Sequence, residues 1–136
     1  MTDPELIAKK LALIETSVRE LQTLARTEEI ASDIREQRFV EHTLQIAIQA
    51  ALDAASHVVS DDRLGEPVSY RELFDLLEKA DYIPADLARE LERMAGFRNV
   101  LVHGYDDVDV AIVRDIVDNR LSDLLRFVDC IRARLP

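Results

Sequence analysis

A chain of 136 residues with three glycines, four prolines and a formal charge of −10 has length for one domain with a substantial helical core and too little for a comfortable second. That charge excludes indiscriminate attraction to nucleic acid or an anionic membrane, because the long-range field repels phosphate, although local basic clefts stay open. The lone cysteine, Cys130, excludes an intrachain disulfide framework and points to a reducing cytoplasm, as do the lack of a signal-peptide pattern and of any apolar run of the roughly 18 residues that span a membrane.

The first helix is expected to open at Thr2 or Asp3, with Pro4 just inside and Glu5 in the first turn, where a fixed φ and a negative charge are favoured. Ile7, Leu11, Ile14, Val18, Leu21 and Ala25 alternate steps of four and three, the seam of a bundle. A polar junction at 27–33 leads into a second helix ending near Val59, striped by Val40, Leu44, Ala47, Ile48, Ala51, Ala55 and Val58. From Thr43 to Val59 its one formal charge is Asp53, so this helix is either central to the bundle or half of a subunit interface. Across it Glu41, Gln45, Gln49, Asp53 and His57 recur every four residues, a polar ridge that either faces water or lines a cleft.

The loop 60–67 carries Asp, Gly and Pro, and Ser69 with Glu72 forms a capping box for a short third helix burying Leu73, Phe74, Leu77 and Ala80. After a turn at 81–83, Pro84 starts a fourth helix whose inner stripe is Leu87, Leu91 and Met94. Continuing the spacing puts Arg98 and Leu101 next on that stripe, so an arginine occupies a core-type position. Gly104 is the expected helix terminator, which leaves His103 in the final turn, where the helix dipole favours a protonated imidazole. Asp106, Asp107 or Asp109 caps a last helix with the seam Val110, Val113, Val117, Leu121, Leu124, Val128, Ile131 and Leu135. With no alternating strand pattern, the expectation is an all-α bundle of about five helices, one domain over 1–136.

The least ordinary chemistry lies in Gly96-Phe97-Arg98-Asn99-Val100-Leu101-Val102-His103-Gly104-Tyr105. A mid-helix glycine costs about 1 kcal/mol against alanine, which close approach by another helix or a second copy of this one would offset; simple tolerance is the alternative. Arg98 and His103 are five residues apart, about 140° around the helix, whereas Asn99 and His103 share a face. Two copies meeting at a symmetry axis would bring all three together. A lone arginine at a core position otherwise needs a buried carboxylate, and Asp53 is the candidate. No metal is indicated, since His42, His57 and His103 lack ligand spacing, and Cys130 sits within a seam as a small core residue.

The stretch from Arg98 to Tyr105 resembles the R-x4-H-x-Y signature of HepT-like proteins, toxin members of the HEPN superfamily. Leu44 to Asp53 and Met94 to Phe97 look like the second and fourth helices of that family, so the likeness covers most of the chain. The resemblance implies the toxin of a type VII-like toxin–antitoxin pair: a metal-independent, cofactor-free endoribonuclease acting as a homodimer, with Arg98 and His103 of both subunits at one composite site. It also implies a minimal nucleotidyltransferase antitoxin, MntA, that transfers AMP to Tyr105.

The residues themselves fit that chemistry. RNA carries its own nucleophile in the 2′-hydroxyl, so an enzyme needs proton transfer and stabilisation of phosphate charge. An imidazole supplies the first and a guanidinium the second, with Asn99 able to orient either. Asp53, His57 and Gln49 would line the cleft. AMP on Tyr105 would place charge and bulk where substrate phosphate must bind; the same ring can equally pack over the helix end. The alternative function is a non-catalytic helical module that binds a nucleotide or a protein, a reading the acidic charge favours.

Overall fold

The computed structural model describes residues 3–103 and 108–136, with His103 described through its backbone alone. The expectations placed on Gly104, Tyr105, Asp106 and Asp107 lie outside the described residues. The elements are α1 (Pro4–Leu24), α2 (Ile34–Asp61), α3 (Tyr70–Lys79), α4 (Ala85–His103), α5 (Val110–Asp115) and α6 (Leu121–Arg132), and a single 3-10 turn, Thr27–Glu29, precedes α2. No strand occurs among the described residues, so the all-α expectation holds.

The caps are local chemistry. Asp3 accepts the Leu6 N–H at 3.1 Å to open α1, Asp33 accepts the Arg35 N–H at 2.9 Å to open α2, and Asp109 accepts the Ala111 N–H at 2.9 Å to open α5; each satisfies a donor that the first turn cannot. At α3 the Ser69 hydroxyl accepts the Glu72 N–H at 3.1 Å, but the Glu72 carboxylate reaches Val68 N–H, one residue before the expected target, at 3.3 Å. α3 closes with Asp81 at φ 62° and the Tyr82 N–H bonded to the Leu77 carbonyl at 2.9 Å, a left-handed cap that aspartate tolerates better than most side chains.

The expected long last helix is interrupted. Between α5 and α6 the chain makes a π turn over Ile116–Arg120. The seam itself explains it: Val113, Val117 and Leu121 are separated by two consecutive steps of four, and a wide turn absorbs the surplus so that all three stay buried.

α2 runs through the middle, packed by α1, α3, α4 and α6, and its apolar stripe from Val40 to Val59 is buried within this chain. The sequence left open whether that low-charge helix was central or an interface; its apolar stripe is central to this chain. The seams of α1, α3, α4 and α6 close on it, with Phe74 and Phe127 edge to face at 6.3 Å. Ion pairs pin the outer helices: Arg132 grips Glu15 through two hydrogen bonds of 3.1 and 2.6 Å, joining α6 to α1, and Arg126 holds Asp86 at 3.0 Å, joining α6 to the first turn of α4. The start of α4 is thereby clamped, and its other end carries the unusual residues.

Candidate functional site

Along α4 the inner stripe runs Leu87, Leu91 and Met94, all buried, and then leaves the core: Arg98 and Leu101 are half-buried. The arginine at a core-type position therefore stands on the edge of the apolar interior. Its stem is covered while the guanidinium remains partly accessible, the usual solution for a long cationic side chain.

The hydrogen bonding of that guanidinium is incomplete. Arg98 Nη1 donates to the neighbouring Asn99 Oδ1 at 3.3 Å, and its buried Nε–H has no acceptor among the described residues. A buried donor left unpaired costs about 1–3 kcal/mol, so Arg98 does not behave as a structural strut. Asn99, Val100 and Gly96 beside it are exposed.

Asp53, offered by the sequence as the carboxylate for Arg98, is engaged elsewhere. Lys10 Nζ of α1 lies 3.1 Å from Asp53 Oδ2, and Gln49 Nε2 donates to Asp53 Oδ1 at 2.9 Å. Asp53 on α2 faces α1 closely enough for the shorter Lys10 side chain to claim it. Among the described residues the buried carbonyl of Gln49 has no hydrogen-bond partner, so α2 has an orphan acceptor there while α4 has an orphan donor.

Two open grooves flank the exposed end of α4. One of about 530 Å³ is lined by Ser56, Val68, Tyr70, Glu92, Gly96 and Asn99 among others. Nothing lies within 4 Å of where a Cβ would stand on Gly96, so no helix of the same chain makes the close approach that its glycine suggested. Val68, Tyr70 and Val100 around it are exposed by 89%, 39% and 38%, an apolar surface among the described residues. The second groove, also about 530 Å³, lies on the other side, between α2 residues Arg38, His42 and Gln45 and Leu101 of α4. The polar ridge on α2 thus divides: Glu41 and Gln45 line this groove, whereas Gln49 and Asp53 are tied to α1.

Elsewhere the charge is spent on structure. Arg89, also on α4, meets Asp75 at 2.7 Å, Glu92 at 3.2 Å and Glu78. Burial, and then the adjacent Asp75, push the Glu92 carboxyl above the usual range. Burial likewise raises the Cys130 thiol, which suits a core residue rather than a nucleophile. Among the described residues no group of three or more His, Cys, Asp or Glu side chains converges as a metal site would need, and no helix is long and apolar enough to cross a membrane.

Comparison with known proteins gives this end of α4 a context. A family model described as Ribonuclease HepT-like matches residues 14–131. The chain belongs to the ribonuclease HepT-like family. It is 32% identical over 130 residues to the mRNA nuclease HepT of Shewanella oneidensis, covering 95% of this chain and 98% of that protein. Against the tRNA nuclease HepT of Aphanizomenon flos-aquae it is 34% identical over 112 residues, 79% of this chain and 74% of the relative. The solved structure of a tri-AMPylated Shewanella oneidensis HEPN toxin in complex with its MNT antitoxin superposes with a TM-score of 0.87 at 32% identity, over 98% of this chain and 99% of that one.

In this HepT-like chain the fold brings Arg98 and Asn99 together on the half-exposed end of α4 and joins Asp53 with Gln49, while His57 is half-buried on α2. The backbone of α4 continues through His103, as expected. Tyr105 and the imidazole of His103 lie outside the described residues. Sequence reasoning missed Lys10 as the partner of Asp53, because the two are 43 residues apart and no local spacing links them. It also missed Arg38 and His42 as groove residues, although their separation by four was legible and Gln45 follows three later.

Proposed function

We propose that this chain is the toxin of a type VII-like toxin–antitoxin pair, a metal-independent endoribonuclease that works as a homodimer in the cytoplasm through its one HEPN domain. Family membership and relatives named as mRNA and tRNA nucleases support the activity. The tri-AMPylated toxin bound to its antitoxin supports the control: an MntA-like nucleotidyltransferase adds AMP to Tyr105. The observation on this chain that carries the reading is Arg98, half-buried on α4 with an unpaired Nε–H and no carboxylate partner among the described residues.

The mechanism follows from what RNA already supplies. The 2′-hydroxyl attacks the adjacent phosphorus, its proton passes to a base, the bond from phosphorus to the 5′-oxygen breaks, and that oxygen takes a proton from an acid. The products are a 2′,3′-cyclic phosphate and a 5′-hydroxyl. One imidazole cannot be neutral base and protonated acid in the same step. The motif contains one histidine, so a dimer that juxtaposes two His103 side chains supplies both forms, with Arg98 donating to the phosphate oxygens as charge develops. Asn99, already bonded to Arg98, orients the guanidinium. Gln49 and Asp53 support the site from α2, where the Lys10–Asp53–Gln49 chain fixes that helix against α1. His57, half-buried on the same ridge, is assigned with them to the supporting residues.

Contact between copies falls on the exposed surface around Gly96, with Val68, Tyr70 and Val100, where open space at the glycine lets a partner helix come close. Modification of Tyr105 silences the enzyme by placing phosphate where substrate phosphate binds.

The test is RNA cleavage by purified dimer. His103→Ala is expected to lower the rate by roughly 10²–10⁴ and to leave the far-UV spectrum intact. Unchanged cleavage by that variant removes His103 from the mechanism, and nucleotide binding without cleavage by the wild type favours the binding-module alternative. Co-expression with an MntA-like nucleotidyltransferase is expected to add AMP masses that map to Tyr105; unmodified protein argues against this control.

A further inference from the structure

The groove beside the last turn of α4 has a composition unusual for this molecule. Arg38 and His42 are one turn apart on α2 and both exposed, and Gln45 follows on the same face, so donors recur along about 10 Å of helix. Half-buried Phe39 forms part of the wall. Opposite stand Leu101, two residues before His103, and Val108, the first described residue after it. The groove therefore borders both ends of the segment that contains His103 and Tyr105.

Among the described residues its positive charge is uncommitted. Most arginines of this acidic chain face carboxylates, as Arg89 and Arg132 do, which cancels their pull on a phosphate. Arg38 forms no ion pair and no hydrogen bond among the described residues, and the same is true of His42. Among the described lining residues the one carboxylate, Glu41, accepts a long hydrogen bond of 3.5 Å from Gln37 and does not bond Arg38. In a molecule of net charge −10, an unpaired guanidinium in a concave site is where a polyanion gains most, because low-dielectric walls focus the field. An aromatic ring within the same groove offers a face for a base to stack on, a contact that tolerates any sequence.

We infer that the groove between Arg38, Phe39, His42 and Gln45 of α2 and Leu101 of α4 is a nucleotide subsite that holds the RNA strand next to the scissile bond. Arg38 and His42 bind a flanking phosphate, Phe39 stacks on a base, and Gln45 donates to either. The inference rests on the ribonuclease reading and adds to it the element that lets an acidic protein hold RNA. Arg38 is a binding residue here and takes no part in proton transfer. Glu41 opposes substrate and limits affinity.

The test compares wild type, Arg38→Gln and Glu41→Gln, each full-length, unmodified by AMP and matched in thermal midpoint, on a 12-nucleotide RNA and on a dinucleotide too short to reach the groove. For Arg38→Gln the expected result is a KM on the longer RNA raised ~5–10-fold, kcat within about twofold, a smaller loss on the dinucleotide, and a salt slope shallower by about 0.7, one phosphate contact on a single strand. Glu41→Gln lowers KM. Unchanged KM and salt slope in Arg38→Gln overturn the subsite, as does an equal loss on both substrates, which would put Arg38 in the catalytic step or in folding. If wild type cleaves no RNA, the ribonuclease reading fails separately. Anisotropy with a fluorescent 2′-deoxy 12-mer, which the chemistry cannot cut, then still decides the groove: weaker binding by Arg38→Gln keeps it, and equal binding removes it.

Discussion

Arg89 and Arg98 sit nine residues apart on α4 and do opposite things with the same side chain. Arg89 is surrounded by Asp75, Glu78 and Glu92, so its charge is consumed in tying α3 to α4. Among the described residues Arg98 has only the amide of Asn99, and its buried Nε–H has no acceptor. A guanidinium that is fully paired has nothing left for a phosphate; one held in place but unpaired is ready for it. Arginine content alone, 14 residues against three lysines, does not distinguish these roles, and the pattern of partners does.

Substituting both arginines separates the roles most sharply. Arg98→Ala should lower RNA cleavage by about 10²–10³, as loss of a group that stabilises transition-state charge does, with stability unchanged or slightly raised because an unpaired buried donor is removed. Arg98→Lys should recover little, since an ammonium cannot donate bidentately. A variant that keeps full cleavage and loses stability would make Arg98 a strut after all. Arg89→Ala should do the reverse: cleavage per folded molecule unchanged, and unfolding free energy in urea lowered by about 1–2 kcal/mol, below the figure for a fully buried pair because the guanidinium is partly exposed.

The Arg89 and Arg132 ion-pair clusters should also respond to pH in opposite directions. Burial and then Asp75 raise the Glu92 carboxyl, so the folded state holds that proton longer than the unfolded chain, and stability falls as pH climbs from the ordinary carboxylate range towards the raised value. Glu15 is lowered, chiefly by its hydrogen bond to Arg132. Its contribution is present above the ordinary glutamate range and is lost as pH falls through the lowered value. Denaturation curves against pH should show Arg89→Ala steepening the first trend and Arg132→Ala flattening the second, the latter by less than about 1 kcal/mol because that pair is largely exposed.

The smallest effect tests the surface between copies. Gly96→Ala should stabilise the isolated fold by roughly 0.5–1 kcal/mol, since alanine is the better helix residue and nothing in the chain meets its methyl group. If a partner helix packs there, the same variant weakens the dimer in light scattering and lowers cleavage, so a gain in stability with a loss of activity places the interface at Gly96.

Much of this molecule was legible from spacing. Every residue expected on the seam of α2, and Ile7 to Leu21 of α1, is buried, because a repeat of three and four residues maps directly onto one side of a helix. The caps at Asp3, Ser69 and Asp109 follow from side chains that satisfy nearby backbone donors. The π turn was misjudged because a seam records which residues face inward and not how the backbone between them winds. The site was half legible: Arg98, Asn99 and His103 stood out by type and position, but pairing Arg98 with Asp53 assumed a contact that only the arrangement of α1 decides. Lys10 holds that carboxylate, and nothing within ten residues of Asp53 announces it.

The amino-acid order alone determined the helices, their buried sides, their caps and the family-like motif at the end of α4, because each depends on interactions a few residues apart along the chain. Which arginine is saturated and which is unpaired, where α2 sits, and which residues border the last turn of α4 were decided by packing. Those are outcomes of competition between groups distant in sequence, and a charge acquires its role only when the folded chain gives it, or denies it, a partner.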